Sequence, residues 1–120
     1  MQRVGAETSD RLWPYGNAFE STTCNTETFD GGAGAGDQDV LIATGALPNC
    51  KSASSVFDLS GNLREWTDET VGTGPGQLAV QRGGSYLSPV AATTCGFRLT
   101  RAGVNSIEQD AGFRCCKAFP

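Results

Sequence analysis

The residues of this chain that could do chemistry are its five cysteines and its carboxylates, since the chain has no histidine. Without histidine, no site within the chain can use an imidazole general base, a histidine metal ligand or a Ser/His nucleophile pair. A catalytic site would have to use Cys, carboxylates, Tyr or Arg. The carboxylates are unevenly placed, because residues 1–50 carry seven acids and two arginines, whereas residues 51–120 carry six acids and seven bases. The first half therefore permits a cation site.

The cysteines have no Cys-x-x-Cys spacing, which excludes zinc-ribbon and thioredoxin-type sites. In an extracytoplasmic protein they would form two disulfides and leave one thiol. We predict one bridge between Cys24 and Cys50. We predict a second from Cys95 to either Cys115 or Cys116, because neighbouring residues of a strand point to opposite faces. The alternative is that all five are small buried apolar residues in a reducing compartment. An extracytoplasmic location is favoured only if the disulfides form.

The length of 120 residues predicts a single domain over residues 1–120. Its core should be modest, because 38 % of the residues are apolar, below the usual ~45–50 %. The net charge of −4 without a basic stripe excludes nucleic acid as the main partner. No apolar run approaches the ~20 residues that span a membrane. The first residues lack the apolar core of a signal peptide, although processing could have removed one.

Short strands joined by loops are expected, because no stretch has a sustained helical period. The strand candidates are rich in aromatic and β-branched residues, and they are residues 11–15, 54–59, 63–67, 78–82, 96–99 and 112–117. Ser60, Gly61 and Asn62 predict a tight hairpin turn with positive φ between two of these strands. Gly83 and Gly84 predict a sharp bend or a close approach of two backbone segments. The glycine-rich composition of residues 30–39 predicts a loop.

Four further side chains have expected structural roles. Trp13 and Trp66 lie between strand residues and are predicted to be core aromatics. Arg82 and Arg114 are predicted to tie backbone carbonyls to carboxylates, since a guanidinium has five N–H donors.

Five motifs follow one another along the chain: WPYGN at 13–17, Cys24-Asn25, VFDLSGNLREWT at 56–67, RGGSY at 82–86 and GFRC at 112–115. In order and spacing they resemble the formylglycine-generating enzyme, or sulfatase-modifying factor, family. The resemblance covers nearly the whole chain and corresponds to the C-terminal portion of the family domain. It implies a shortened C-type-lectin-like fold, an α+β architecture that is mostly β and rich in loops.

The resemblance also bears on catalysis. The enzymes of the family hold copper(I) with two cysteines shortly after the RGGSY motif, and soft thiolates suit that ion. The first of these positions is Ser88 here, and the next cysteine is Cys95. We therefore expect no copper and no catalytic residue. The iron-dependent branch of the family needs histidine ligands, which the chain lacks.

Two calcium sites are implied by the resemblance. The first would use the carboxylates of Asp58 and Glu65 with the carbonyls of Gly61 and Leu63, and a hard cation prefers such oxygen ligands. The alternative is that Asp58 and Glu65 face solvent, with Glu65 paired to an arginine. The second site would use Asn25, a carbonyl of Thr26, and either Asp37 or Asp39.

The favoured interpretation is a non-catalytic, calcium-stabilised binding or structural module whose partner is a protein or a glycan. Its binding face would include Tyr86, Ser88, Arg98 and Arg101, where the family places its active face. One alternative is an oxygen- and copper-dependent formylglycine-generating oxidoreductase with a rearranged site. Another is a truncated gene product that is stable as a homo-oligomer, because loss of half a domain exposes apolar surface.

Overall fold

The computed structural model describes residues 11–29, 39–102 and 107–118. Four strands follow one another along the chain: β1 (Arg64–Val71), β2 (Leu78–Arg82), β3 (Leu99–Ala102) and β4 (Ala111–Gly112). Short 3-10 helices cover Gly74–Gly76 and Val90–Thr93. The described residues contain no α-helix, so the chain there is mostly loop and strand. In the same residues, no helix is long and apolar enough to cross a membrane.

The strands form one small sheet in the order β3-β2-β1-β4. β2 runs antiparallel to both β1 and β3, whereas β4 is parallel to β1. The β1–β2 register shifts between Trp66 and Thr70, and such an irregularity increases the local twist of a strand pair. Backbone hydrogen bonds between the loops outside this curled sheet bring the remaining motifs together.

The strand predictions are confirmed best at the centre of the sheet. β2 has the predicted bounds, and β1 begins one residue later than predicted and continues to Val71. β3 overlaps the candidate 96–99 only at Leu99, and β4 keeps only Gly112 of the candidate 112–117. The two N-terminal candidates are not strands. Each contributes to an isolated bridge, Trp13 with Gly16 and Lys51 with Phe57, because no neighbouring strand offers a ladder.

The predicted turn has positive φ at Gly61 (77°) and Asn62 (63°), but it does not join two paired strands. Instead, the Gly61 N–H donates to the carbonyl of Gly83 at 2.8 Å and the Asn62 N–H donates to the carbonyl of Asn25 at 2.7 Å. A Cβ on Gly61 would overlap the Asn25 carbonyl. The turn is therefore a junction of three loops, and glycine is required there both by its φ and by the available space.

The Gly83–Gly84 prediction of close backbone approach is confirmed. Both residues have positive φ. A Cβ would lie 2.6 Å from the Leu59 carbonyl oxygen at Gly83 and 2.7 Å from the Ala92 carbonyl oxygen at Gly84. These two glycines let the chain that follows β2 pass close to the backbone of two other loops.

The core is small and largely polar. Its buried apolar members are Trp13, Cys24, Cys50, Val80 and Tyr86, and they are outnumbered by buried polar residues. Hydrogen bonds between distant loops therefore contribute much of the specificity of this fold. The assignment of Trp13 to the core is confirmed, whereas Trp66 is half-buried.

One of the two predicted disulfides is present. Cys24 and Cys50 are bonded, with a Cα–Cα distance of 5.0 Å. The second predicted bridge is absent, since Cys95, Cys115 and Cys116 form no disulfide. The prediction assumed that the last two cysteines lie in a strand. β4 ends at Gly112, and both side chains are exposed in the segment that follows.

Candidate functional site

A pair of asparagines, Asn25 and Asn62, connects three loops at the turn that follows Ser60. The Asn62 amide is oriented by the backbone of Ile42, because its Oδ1 accepts from the Ile42 N–H and its Nδ2 donates to the Ile42 carbonyl, both at 3.1 Å. The Asn25 Nδ2 then donates to the Asn62 Oδ1 at 3.1 Å and to the Val40 carbonyl at 2.8 Å. Both acceptors require the amide nitrogen, so the orientation of the Asn25 amide follows from the network.

The other end of the Asn25 amide has no hydrogen-bond partner. Asn25 is 1 % exposed, and its Oδ1 is one of the buried side-chain atoms left unpaired within the described residues. Leaving a buried acceptor unpaired costs about 1–3 kcal/mol, which a cation or a water at this oxygen would offset. Asn25 therefore has the feature expected of a ligand of a hard cation.

The other predicted ligands of this second calcium site lie close along the chain. Thr26 is buried next to Asn25, and its carbonyl accepts from the Phe29 N–H at 2.9 Å. Asp39 is exposed and precedes Val40, whose carbonyl contacts Asn25. Asp37 lies outside the described residues. Amide, carbonyl and carboxylate oxygens fit calcium by type, although no group of three or more acidic or cysteine side chains forms a metal cluster in the described residues.

The ligands predicted for the first calcium site have other partners. The Asp58 Oδ2 accepts from the Gly45 N–H at 2.7 Å. Both oxygens of Glu65 accept from Arg114, whose Nε lies 2.9 and 2.7 Å from them. A second guanidinium nitrogen of Arg114 donates to Glu65 as well and reaches the Phe57 and Asp58 carbonyls at 3.0 and 3.3 Å. The structure therefore confirms the arginine partner that the alternative gave Glu65. The other part of that alternative is wrong, because Asp58 and Glu65 are buried and do not face solvent.

The charge of Glu65 is thus neutralised from within the chain. The hydrogen bonds that Arg114 donates to Glu65 raise the pKa of Arg114 above its usual range, although burial opposes the shift. A calcium ion at this turn would have to share Glu65 with the guanidinium. The residues present fit calcium less well here than at Asn25.

The predicted structural role of Arg82 and Arg114 is confirmed. Arg82 donates to the Glu69 Oε2 at 2.8 Å and to the Cys95 carbonyl at 3.3 Å. Like Arg114, it joins a carboxylate to the backbone of a separate loop.

Ser88 has a structural role where the resemblance places a copper ligand. It is buried, its Oγ accepts from the Ser85 N–H at 2.8 Å, and its carbonyl accepts from the Glu27 N–H at 3.2 Å. The Cys95 N–H donates to the Leu12 carbonyl at 2.8 Å. Ser88 therefore connects two loops through its hydroxyl and its backbone.

The predicted binding face is divided by burial. Tyr86 and Ser88 are buried, so their side chains are not available to a partner in this structure. Arg98 and Arg101 are partly exposed and form ion pairs, Arg98 with Glu69 at 2.9 Å and Arg101 with Glu108 at 2.8 Å. The exposed part of the face consists of two arginines, and each of them is paired with a glutamate.

A buried polar network beside the sheet was not predicted from the sequence. Asp110 accepts from Arg64 at 2.5 Å and from the Ser85 Oγ at 2.6 Å. Glu108 accepts from Arg64 at 2.9 Å and from Gln81 at 3.2 Å. These partners lie 25 or more residues apart, so no local pattern could have identified them. The network holds Glu108 and Asp110 against the sheet.

The small curled sheet, the loop junction at Gly61 and the arginine-tied carboxylates are consistent with a domain of the sulfatase-modifying factor type. The family model of the sulfatase-modifying factor enzyme 1-like domain matches residues 3–119. The chain belongs to this family, as its motifs had indicated. A search of curated proteins found no match to the chain.

Proposed function

We propose that the chain is a non-catalytic member of its family. It is a calcium-stabilised module of C-type-lectin-like fold that either binds a protein or glycan partner or has a structural role. The observation that carries the calcium part is the unpaired, buried Oδ1 of Asn25. Asn62 orients the Asn25 amide so that this oxygen faces away from the other hydrogen bonds. A calcium ion held by Asn25, Thr26 and Asp39 would supply the missing partner and tie residues 39–42 to the turn.

The non-catalytic part rests on the position of Ser88. A hydroxyl cannot replace a thiolate as a copper(I) ligand, and the Ser88 Oγ is engaged by the backbone of Ser85. Cys95 alone cannot supply two thiolates. The chemistry that the family performs with copper therefore lacks half of its ligand set here.

Calcium titration tests the first part. Thermal unfolding of the full chain is followed with calcium, with magnesium and with a chelator. A ligand that binds only the folded state adds about 2.7 kcal/mol at a hundredfold excess over its Kd, and we expect a rise in Tm of roughly 10 °C with calcium. Asp39→Asn should reduce that rise, whereas Glu27→Gln, which removes an exposed charge two residues from Asn25, should preserve it. Equal curves with calcium and chelator would overturn the calcium proposal.

Oxygen consumption tests the second part. The chain is loaded with copper(I) and supplied with a cysteine-containing peptide. We expect no turnover above that of free copper. Turnover that is lost in Cys95→Ser but retained in Cys115→Ser would show that the chain is an oxidoreductase with a rearranged site and would overturn the non-catalytic proposal.

A further inference from the structure

A polar pocket lies beside the Cys24–Cys50 disulfide. It has a volume of about 460 Å³ and is formed by residues of two segments, 15–23 and 49–52. This volume is within the range of small-molecule binding sites. The side chains that matter for recognition are Tyr15, Asn17, Glu20, Thr23, Asn49 and Lys51.

The two walls of the pocket are held in place by covalent and backbone bonds. Cys24 directly follows Thr23 in one wall, Cys50 lies between Asn49 and Lys51 in the other, and the two cysteines are bonded. The first wall also begins with a reciprocal bridge between Trp13 and Gly16, with N–H···O distances of 2.9 and 3.1 Å. A pocket whose walls are fixed before binding loses less entropy when a ligand binds.

The lining offers hydrogen-bonding groups that are not used within the protein. The Asn49 side chain has no hydrogen-bond partner among the described residues. The Lys51 ammonium has none there either, although it lies over the Phe57 ring at 5.9 Å from its centroid. The Asn17 Oδ1 accepts from the Leu12 N–H at 3.0 Å, which leaves its amide nitrogen as a donor. The Glu20 Oε2 accepts from the Thr23 hydroxyl at 3.0 Å, which leaves its Oε1 as an acceptor. Donors and acceptors therefore surround the space.

An aromatic ring completes the pocket. Tyr15 is half-buried, and its ring stacks on the buried Trp13 with a centroid distance of 6.3 Å. This contact holds the phenol in one orientation at the wall. A rigid ring beside amides and a carboxylate can pack against the C–H groups of a ligand while those polar groups bind its hydroxyls.

The charges of the lining favour an uncharged ligand over a strongly charged or an apolar one. One carboxylate, Glu20, and one ammonium, Lys51, face the space, and no ion pair within 4.0 Å joins them among the described residues. A strongly anionic ligand would meet Glu20, a cationic one would meet Lys51, and an apolar one would leave both desolvated without partners. An uncharged ligand with several hydroxyls would satisfy all of these groups.

We propose that this pocket binds a neutral sugar ring of a saccharide. The inference rests on the proposed binding function and narrows its partner to a glycan at a defined place. It does not require the calcium site at Asn25, which is built from other side chains.

The test is a nitrogen-15 NMR titration of the full chain. The neutral probes are the methyl glycosides of glucose, galactose, mannose and N-acetylglucosamine. The charged probes are glucuronate and glucosamine. We expect at least one neutral glycoside to shift amides within residues 15–23 and 49–52, with a Kd on the order of 1 mM. The charged probes should bind more weakly than their neutral counterparts.

Two matched pairs of variants locate the site. Asn49→Ala should weaken binding about five- to tenfold through a lost hydrogen bond, whereas Gln109→Ala, which changes an exposed amide elsewhere, should leave it unchanged. Lys51→Gln should weaken binding and Lys117→Gln should not. Each variant is used only if its spectrum outside the pocket matches the original.

Three outcomes would overturn the proposal: no shift with any neutral glycoside up to about 50 mM, unchanged binding in Asn49→Ala, or preference for a charged probe. Repeating the titration with calcium and with a chelator separates the two proposals. Sugar binding in the presence of chelator supports the pocket even if calcium has no effect on Tm, and a calcium effect without sugar binding overturns the pocket alone.

Discussion

Arg114 holds both carboxylate oxygens of Glu65 and, through the same guanidinium, the carbonyls of Phe57 and Asp58. One side chain near the C-terminus thus fixes the first strand of the sheet to the loop that precedes it. The side chains of this ion pair are only 29 % and 12 % exposed. Its contribution should therefore lie between that of a surface pair, about 0–1 kcal/mol, and that of a buried one, about 3–5 kcal/mol when one partner is removed.

Arg114→Ala should lower the free energy of unfolding by about 2 kcal/mol, because Glu65 would keep its charge without a partner. Arg114→Lys should recover only part of the loss, since an ammonium cannot reach carboxylate and carbonyls together. Urea unfolding measures both. The control is Arg98→Ala, which removes an ion pair whose arginine is 45 % exposed and should cost about 0.5 kcal/mol or less. Equal losses in Arg98→Ala and Arg114→Ala would contradict this assignment.

Gly61→Ala should destabilise the protein by about 3 kcal/mol or more. The added Cβ would overlap the Asn25 carbonyl at a positive φ, so backbone strain and a steric clash add together. It should also abolish any calcium effect, because the turn positions Asn25. Gly76→Ala is the control, as nothing lies within 4 Å of its Cβ position. In thermal unfolding, Gly61→Ala should have a clearly lower Tm than Gly76→Ala. A Gly61→Ala protein as stable as the original would contradict the three-loop junction.

Reduction of the disulfide should destabilise the protein by about 3.5 kcal/mol, the value expected from the entropy of closing a loop of this size. Cys24 and Cys50 are separated by 26 positions along the chain. The control is the triple variant Cys95→Ser, Cys115→Ser, Cys116→Ser, which should lose the same stability on reduction. Titration of the denatured, unreduced chain should find three thiols. A single thiol would instead support the second bridge predicted from the sequence.

The stability of the protein should fall as the pH rises above 10. Burial raises the pKa of the Tyr15 phenol above its usual value, although a hydrogen bond with the Glu20 backbone opposes the shift. A raised folded-state pKa means that the stabilising contribution is complete below the unfolded pKa and is lost as the pH passes through the folded one. Tyr15→Phe should show a shallower loss above about pH 10 than the original chain. Parallel loss in both proteins would assign the alkaline transition to other groups.

The backbone conformation at several glycines was predictable from the sequence, because it depends on the local geometry of a turn. Gly61, Gly83 and Gly84 stand in short motifs, and each has the positive φ that such motifs favour. The central strand β2 was predictable for a related reason, since its residues have the composition of a strand bounded by turn residues. The N-terminal candidates had similar composition and formed only bridges, because strand formation also needs a neighbouring strand.

The sequence could not decide between two partners for Glu65. A calcium ion and an arginine are both compatible with an isolated carboxylate after a tight turn, and 49 residues separate Glu65 from Arg114. The prediction of a second disulfide was wrong for a comparable reason, because it depended on where β4 ends. The pocket between residues 15–23 and 49–52 could not be predicted from the sequence, because its two walls become neighbours only when Cys24 and Cys50 are bonded.

By itself, the sequence determined the family, the loop-rich character, the exclusion of histidine chemistry and the serine at position 88. These depend on residue type and on spacing within short motifs, which folding does not change. Only the tertiary structure decided that Arg114 neutralises Glu65, that Asn25 keeps an unpaired oxygen and that Asp110 joins Arg64 to Ser85. Those relationships join residues that are distant along the chain, and in a fold with a small polar core they depend on how the loops pack.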